Sequence, residues 1–484
     1  MTMKTMSIEK FLPVSVTAIT SAVGLAVLFW WLTTDPVNYL SENIPGMDNR
    51  PAEMANTKET VDFGEYFEMF NGLPAVNISG SWPRFRGNDF DNISKEKISL
   101  PDNWGDRQPP VLWSQDLGEG FAAPVVANGR VYILDYDEEK KADMLRCFSL
   151  ADGKEIWRRG YQIHIKRNHG MSRTIPAVNG NVVVTIGPLG HVMCVNAETG
   201  DFMWGIDLHK TYGSEIPLWY TGQCPLIDDS IAVIAPAGTA LLIGVDCQTG
   251  NVIWETPNDK KWKMSHSSIM PMTFADTKMY VYAAIGGIVG VSAEEKNRGS
   301  ILWETSDWNP QVIAPSPLVL DDGKILFSAS YGAGGALIQI AKTGEQFTVK
   351  TLGTYPSTDG FSTEQQTPIY YQGYLFGILP KDAGGLRNEF ACYNPDNLAV
   401  PVWSSGKTNR FGLGPFLLAD GKFFILNDEG VLTIVEANTQ AYNQLAQFKI
   451  LDGKDSWGPM AIVNGRLLLR DSKKMVCVDL NGSS

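Results

Sequence analysis

The stretch AAPVV, residues 122–126, opens a unit that this sequence repeats eight times. The later copies begin TIPAV, QCPLI, IMPMT, PSPLV, QTPIY, LGPFL and WGPMA, and their prolines lie 44 to 52 residues apart. Each copy continues into a turn, such as NGR at 128–130, and an alternating apolar strand, such as VYILDY at 131–136. A period near 50 residues with several short strands per unit is typical of a β-propeller. The sequence therefore predicts an all-β ring of eight blades.

The second half of each unit predicts the outer strands of a blade. NAETGDFMW (196–204) and DCQTGNVIW (246–254) join a polar turn that contains glycine to a strand that ends in tryptophan. Glycine permits the positive φ of a tight turn, and the indole offers a large ring for burial between neighbouring sheets. The eighth copy has three strands and no fourth. We expect the strand around Trp113, ahead of the first copy, to complete that blade and leave no open sheet edge.

An apolar segment precedes the repeats. Residues 11–33 contain no charged side chain, and this length is enough to cross a hydrocarbon core of about 30 Å. Lys4 and Lys10 lie before the segment and Asp35 follows it. The asymmetry predicts a single-pass anchor in the cytoplasmic membrane, with residues 1–10 in the cytoplasm and the propeller on the periplasmic side. A cleaved signal peptide remains open as the alternative.

The chain between the anchor and the repeats predicts a linker. It covers residues 34–81, and the propeller is expected to occupy residues 82–484. Within the linker, TVDFGEYFEMFNGL (60–73) could form a short helix with one apolar face. The residues of that face would be Phe63, Phe67 and Phe70.

Charge and cysteine placement restrict the function further. The formal net charge of −13 argues against binding to nucleic acid. Four cysteines occupy the same position in the third strand of different blades, which puts them too far apart for disulfide bonds. We expect buried free thiols that pack as small apolar side chains. The four are Cys147, Cys194, Cys392 and Cys477.

Two motifs carry a family resemblance. Trp-Pro-x-Phe-Arg-Gly at residues 82–87 resembles the opening phrase of PQQ-binding-like β-propeller repeat proteins. The blade endings around Trp204 and Trp254 resemble the tryptophan-docking repeat of quinoprotein dehydrogenases and of BamB-like propellers. The resemblance covers roughly residues 82–480 and implies the eight-bladed fold. Because the repeat belongs to the scaffold, it leaves the function open.

The dehydrogenase side of that resemblance implies features that this chain lacks. Those enzymes carry a vicinal Cys-Cys pair beside the quinone, and many have a haem domain with a C-x-x-C-H motif; neither occurs here. They also bind calcium through a Glu, Asn and Asp set, for which no aligned counterpart is found. The acidic residues ahead of the blades are Glu215, Asp307, Asp359, Glu364 and Asp455. We predict no catalytic residue, cofactor or metal, with a PQQ-dependent oxidoreductase as the alternative.

The links between blades supply the candidate binding site. They enter the ring at one end of its central funnel, and they are rich in aromatic and basic residues, which both protein hot spots and ligand pockets favour. Packing at the rim is the alternative role. The sequence predicts a non-catalytic scaffold that binds other envelope proteins and is held by the membrane through residues 11–33. The candidate residues are Arg167, His169, Arg173, Trp219, Tyr220, His266, Trp308, Arg410 and Trp457.

Overall fold

The computed structural model describes residues 8–33, 61–105, 107–329 and 331–482. The chain divides into two compact units, residues 1–54 and residues 55–484. In the first unit, helix α1 (Ile8–Thr33) contains an 18-residue window with a mean hydropathy of 1.8, long and apolar enough to cross a membrane. A signal sequence has the same properties. The predicted cytoplasmic residues 1–7 and linker residues 34–60 lie outside the described residues.

The second unit is the predicted propeller. Eight sheets follow one another along the chain, each built on four antiparallel strands, and we number these blades 1 to 8 in the order of the proline repeats. Three strands precede the first repeat: β1 (Tyr66–Met69), β2 (Ile93–Ser94) and β3 (Val111–Asp116).

Each of the first four blades takes its strands consecutively, from the inner to the outer edge. They are β4 (Val125–Ala127), β5 (Arg130–Asp137), β6 (Ala142–Ser149) and β7 (Glu155–Gln162); β8 (Ala177–Asn179), β9 (Val182–Ile186), β10 (His191–Asn196) and β11 (Phe202–Asp207); β12 (Leu226–Asp228), β13 (Ile231–Ile234), β14 (Ala240–Asp246) and β15 (Val252–Pro257); and β16 (Met270–Phe274), β17 (Thr277–Ala284), β18 (Gly287–Ser292) and β19 (Ile301–Thr305).

Blades 5 to 8 continue in the same way. They contain β20 (Leu318–Val319), β21 (Lys324–Ala329), β22 (Gly334–Thr343) and β23 (Gln346–Tyr355); β24 (Ile369–Tyr371), β25 (Tyr374–Ile378), β26 (Phe390–Tyr393) and β27 (Trp403–Ser404); β28 (Phe416–Ala419), β29 (Lys422–Leu426), β30 (Val431–Glu436) and β31 (Gln444–Lys449); and β32 (Ala461–Val463), β33 (Arg466–Arg470) and β34 (Lys474–Asp479). The short helices are α2 (Leu208–Tyr212) and the 3₁₀ turns Glu295–Asn297, Asp321–Gly323 and Gly384–Leu386.

Strand β3 closes the ring, which confirms the prediction from Trp113. It pairs antiparallel with β34 as the fourth strand of blade 8, and Trp113 lies opposite Cys477. The first and last parts of the propeller therefore share one sheet. The four cysteines at equivalent positions of the repeat are buried free thiols, as predicted, and so are Cys224 and Cys247.

The tryptophans that end the blades tie each blade to the next. The indole Nε1 of Trp157 donates to the backbone oxygen of Glu198 at 3.1 Å, and that of Trp204 donates to Cys247 at 2.8 Å. The backbone of the turn glycines packs closely against these indole rings. A Cβ on Gly200, whose φ is 73°, would lie 2.7 Å from the Trp157 ring. The turn-and-tryptophan motif thus specifies contacts between blades as well as turns within them.

A chain of buried hydrogen bonds connects five neighbouring blades near the axis. The amide of Ile175 donates to Cys224 Sγ, and the amide of Cys224 donates to Ser268 Oγ, at 3.3 and 2.9 Å. The Ser268 amide donates to Ser316 Oγ, and the Ser316 amide donates to Thr367 Oγ1, at 3.0 and 2.8 Å. Each bond joins the link of one blade to the link of the next, so the links hold a fixed spacing around this side of the ring.

The linker helix predicted at residues 60–73 is wrong. The segment Tyr66–Met69 is instead a strand, β1, which pairs antiparallel with the outer strand β7 of blade 1. The outer edge of a blade offers unpaired backbone groups that an extended segment satisfies. The Arg159 guanidinium also lies 4.2 Å from the centre of the Phe67 ring. Strand pairing and this cation–π contact together outweigh the helical periodicity of the phenylalanines.

Residues 80–96, which we name the hub segment, lie along the inner strands of the ring. Trp82 exchanges two backbone hydrogen bonds of 2.8 Å with Val126, and Pro83 accepts one of 2.8 Å from the amide of Val178. The Arg84 guanidinium donates to the backbone oxygen of Ile227 at 3.2 Å. These contacts engage the inner strands of blades 1, 2 and 3 beside the turns that follow them, at the end of the ring opposite the links.

The rest of the hub segment engages three further blades. The side chain of Arg86 donates to the backbone oxygens of Thr367 and Pro368 in blade 6 at 2.9 and 2.8 Å. Asn92 accepts from the amide of Leu418 in blade 7 at 3.1 Å. The Glu96 carboxylate accepts from the amide of Asn464 in blade 8 at 2.6 Å. One segment therefore contacts the inner strands, or residues directly beside them, in six of the eight blades.

Candidate functional site

Three of the predicted site residues meet where the links enter the ring. The ring of Trp219 lies 6.4 Å from that of His169 and 6.1 Å from that of His266, measured between ring centres. Tyr331, from the turn between β21 and β22 in blade 5, stacks on Trp219 at 5.8 Å with an interplanar angle of 16°. We define the mouth cluster as these four residues together with Arg173, which contacts the backbone of His169.

The backbone of the mouth cluster is strained. His169, Trp219, Tyr220 and Tyr331 have φ values of 51°, 62°, 73° and 57°, in the left-handed region. Such conformations cost about 1–3 kcal/mol each and persist where the surroundings impose them, often at functional sites. The hydroxyl of Tyr220 donates to the backbone oxygen of Lys166 at 2.5 Å and thereby holds one link against the next. The surrounding contacts therefore hold Trp219 in this conformation.

Arg173 is a half-buried cation without a carboxylate partner among the described residues. Its Nη2 atom donates to the backbone oxygens of Asn168 and His169 at 3.1 and 3.0 Å. Its Nε atom is buried and makes no hydrogen bond within the ranges that the structure describes. Burial lowers the pKa of this guanidinium to about 10, so the group remains charged at neutral pH.

His266 is neutral at neutral pH. Burial, followed by the nearby positive charge of Arg173, lowers the pKa of its imidazole to about 3. The ring fits because Gly222 has no side chain: a Cβ there would lie 2.8 Å from the Cβ of His266. The imidazole therefore adds an aromatic surface to the mouth cluster without a second positive charge.

Tyr331 and Lys381 extend the cluster in a way that the sequence reasoning missed. Tyr331 is 48% exposed, and Lys381 Nζ lies 4.9 Å from the centre of the Tyr331 ring. The same ammonium lies 3.0 Å from Glu364 Oε1. Both residues stand in turns between second and third strands. Those turns reach the same end of the ring as the links, so the order of strands in the repeat was the signal that could have found them.

Two other predicted site residues lie apart from the cluster. Arg167 is on the rim, where its Nε lies 2.7 Å from Glu119 Oε2 and its side chain is 70% exposed. Trp308 is buried, and its ring packs 5.9 Å from that of Phe327 in the core of blade 5. The rim-packing alternative therefore describes Trp308 better than partner binding does.

The last two candidates occupy the opposite side of the ring. Arg410 Nη2 lies 4.0 Å from Glu389 Oε1, on blade 6. Trp457 donates from Nε1 to Asp428 Oδ1 at 2.8 Å, and its ring lies 4.9 Å from that of Phe121. These contacts hold the side chains of Arg410 and Trp457 against neighbouring residues. The structure thus separates the nine predicted residues into the mouth cluster with its neighbour Tyr220 and four residues placed elsewhere.

The acidic residues ahead of the blades do not assemble into a cation site. Within the described ranges, no group of three or more His, Cys, Asp or Glu side chains is close enough to hold a metal ion. Glu364 faces Lys381, and Glu215 faces Lys263 at 2.7 Å. Calcium requires several oxygen ligands around one centre. The calcium set that the dehydrogenase resemblance implies therefore does not fit these residues.

A buried carboxyl lies behind the link that carries Arg173. Asp143 accepts from the Tyr161 hydroxyl at 2.9 Å and from the Ser172 hydroxyl at 3.4 Å. Burial, the largest effect, raises the pKa of this carboxyl to about 7 despite both hydrogen bonds. Asp143 and His266 therefore have pKa values shifted by burial in opposite directions.

We expect Asp143→Asn and His266→Gln to change the pH dependence of stability with opposite signs. Between pH 3.8 and about 7, the folded chain keeps the Asp143 proton that the unfolded chain releases. The contribution of Asp143 to the free energy of unfolding therefore falls as pH rises. Between about pH 3 and 6.5, the unfolded chain binds a proton on His266 that the folded chain does not bind. The contribution of His266 to the free energy of unfolding therefore falls as pH falls. Each slope is at most about 1.4 kcal/mol per pH unit.

Urea unfolding of the full chain from about pH 4 to about pH 6.5 measures both slopes. Relative to the unaltered chain, Asp143→Asn should make the slope of stability against pH more positive, because it removes a contribution that falls as pH rises. His266→Gln should make that slope more negative, because it removes a contribution that rises with pH. Parallel profiles for the two variants would contradict the assignment.

Comparison with known proteins agrees with this architecture. Residues 140–368 match the family model described as outer membrane protein assembly factor BamB. The crystal structure of BamB from Moraxella catarrhalis superposes with a TM-score of 0.50 at 12% identity, over 77% of this chain and 98% of that one. No sequence among the curated proteins matches the chain.

Quinoprotein enzymes share the fold to a similar degree. A europium-containing methanol dehydrogenase has a TM-score of 0.56 at 12% identity, over 82% of this chain and 89% of its own. The quinohemoprotein alcohol dehydrogenase ADHIIG from Pseudomonas putida HK5 has a TM-score of 0.52 at 13% identity, over 84% and 81%. The resemblance to PQQ-like propeller repeats is confirmed. At these identities the likeness shows the fold alone.

Proposed function

We propose that this chain is a membrane-anchored, non-catalytic propeller that binds another protein of the cell envelope through the mouth cluster. The mouth cluster carries the proposal. It presents a stacked Trp219–Tyr331 pair, half-exposed at Tyr331, on a strained backbone, and its side chains come from three links and one turn at the same end of the ring. Rigid aromatic anchors beside arginine are the groups that most often dominate protein interfaces.

The chemistry of the same site supports a binding role over catalysis. The imidazole of His266 has a pKa near 3, too low for it to act as a general base at neutral pH. Lys381 is engaged by Glu364, and Arg173 donates to backbone oxygens. A quinone would need oriented partners and a metal, and the described carboxylates do not provide that metal set.

The location in the envelope is part of the proposal. Helix α1 is long and apolar enough for a membrane anchor. The family model that matches residues 140–368 is described as an outer membrane protein assembly factor, which supports a location in the cell envelope. Protease added to spheroplasts should then digest the propeller. A propeller that resists until the membrane is opened would overturn the location.

A photo-crosslinker at the mouth tests the binding role. We expect p-benzoylphenylalanine at Tyr331 to give one discrete adduct in cells, and the same group at Ile253, which is 50% exposed on outer strand β15, to give none. Trp219→Ala should reduce the Tyr331 adduct about thirtyfold, because loss of an anchor costs about 2 kcal/mol or more. Trp219→Phe should restore most of it.

Two results would contradict the proposal. One is an equal adduct yield from both positions, which would mean unspecific contact. The other is dye-linked alcohol oxidation by the purified chain after addition of pyrroloquinoline quinone with calcium or a lanthanide. Thermal melting of each variant shows whether a lost adduct reflects unfolding, since a change in the binding surface alone leaves the melting temperature nearly unchanged.

A further inference from the structure

We infer that the mouth cluster recognises a carboxylate on its protein partner, with Arg173 as the group that binds it. The inference rests on the proposed binding function and names the chemistry of the partner. An acidic side chain or a C-terminal carboxylate would supply the same group. Arginine suits this role because its planar guanidinium can donate two parallel hydrogen bonds to one carboxylate.

The hydrogen bonding of Arg173 leaves donors for a ligand. Both of its hydrogen bonds to the protein come from Nη2, to the backbone oxygens of Asn168 and His169. The Nε atom is buried and has no acceptor within the described part of the chain. A buried donor without an acceptor costs about 1–3 kcal/mol, more when the group is charged. The Nη1 atom also makes no hydrogen bond within the described ranges and is not among the buried atoms, so it is the donor that a ligand oxygen can reach.

The charge of Arg173 is also unmatched. Three neighbouring cations at this end of the ring have carboxylate partners within 4 Å: Arg167 with Glu119, Lys263 with Glu215 and Lys381 with Glu364. No such pair involves Arg173 within the described ranges. A charge that has lost water without gaining a counter-ion favours an incoming anion.

The surroundings of Arg173 strengthen such an ion pair. His266 lies close enough for the arginine charge to lower its pKa, and the Trp219 ring lies 6.1 Å from the His266 ring. These aromatic surfaces exclude water, which makes the attraction between opposite charges stronger than at an open surface. Trp219 Nε1 is itself buried and has no acceptor among the described residues, so a second donor at the mouth is available to a ligand.

Selection of displayed random peptides on the full chain in detergent tests the inference. We expect peptides whose binding depends on Trp219 to be enriched in Asp or Glu, or to require a free C-terminal carboxylate. Replacing that Asp or Glu by Asn or Gln, or amidating the C-terminus, tells the two sources apart. Either change should weaken binding about ten- to a hundredfold, the range for a hydrogen bond to a charged group.

Substitution of the arginine supplies the matching half of the test. Arg173→Met should weaken binding of the acidic peptide by the same factor. It should not weaken binding of the neutral peptide any further. Arg167→Met is the matched control, because that guanidinium is on the same link but already faces Glu119 at 2.7 Å. It should leave the affinity unchanged. If Arg173→Met does not fold, the neutral peptides alone decide, since they leave the protein unaltered.

The outcomes separate this inference from the function on which it rests. Peptides that depend on Trp219 but show no preference for acidic groups would overturn the carboxylate inference and leave the binding function standing. Absence of any peptide that depends on Trp219 would overturn both. Binding of free pyrroloquinoline quinone that depends on Arg173, without peptide binding, would also overturn both in favour of a small tricarboxylate ligand.

Discussion

Deletion of residues 460–480 should abolish cooperative unfolding of the propeller. The deleted segment contains β32, β33 and β34, so β3 would lose the sheet that it completes, and blades 1 and 7 would lose their neighbour. The segment also contains Arg470, which is 1% exposed and donates to four backbone oxygens at the junction of blades 8 and 1. A ring opened in this way exposes unpaired edges that closure otherwise removes.

Differential scanning calorimetry of the full chain and the deletion measures this effect. We expect a sharp transition for the full chain and a broad or absent one for the deletion. Removal of residues 483–484 alone is the control and should leave the transition unchanged. A deletion that melts as sharply as the intact protein would show that the blades do not depend on ring closure.

Arg86→Met should destabilise the propeller by about 3–5 kcal/mol, because it leaves several buried carbonyl groups without donors. The Arg86 guanidinium is 4% exposed and bonds four backbone oxygens. Two of these belong to Thr367 and Pro368 in blade 6, so the side chain joins the hub segment to a distant part of the ring. Its burial lowers the pKa of the guanidinium to about 10.

Urea unfolding at neutral pH measures the loss, with Arg84→Met as the matched control. Arg84 is in the same segment and makes one hydrogen bond to the described residues, with the backbone oxygen of Ile227. Its replacement should therefore cost about 1 kcal/mol, the usual value for one such bond. Equal and small losses for the two variants would mean that the hub segment does not stabilise the ring.

Local patterns predicted most of the fold because the repeat itself is local. The proline, the turn glycine and the terminal tryptophan recur within each unit, so eight blades and the place of Trp113 could be derived from spacing. The hub segment could not. Its residues lack periodicity, and its position depends on contacts with blades up to 368 residues away in sequence, as between Glu96 and Asn464. Strand β1 likewise depends on the exposed edge of β7.

The candidate site was predictable in part for a related reason. Links converge at one end of any propeller, so His169, Trp219 and His266 could be assigned to that end from the repeat alone. Which side chains point inward depends on local backbone conformation, such as the left-handed φ of Trp219. Trp219 and Tyr331, both with left-handed φ, stack on each other, whereas Trp308 is buried in the core of its blade.

The hub segment also imposes an order on folding during synthesis. It is made before any blade, yet its partners appear one after another as the chain grows: Val126, Val178 and Ile227 first, Thr367 and Leu418 later, and Asn464 near the end. Until the last blade is complete, the buried groups of this segment have only some of their partners. A nascent chain that stops short of residue 479, the end of β34, therefore has neither a finished hub nor a closed ring.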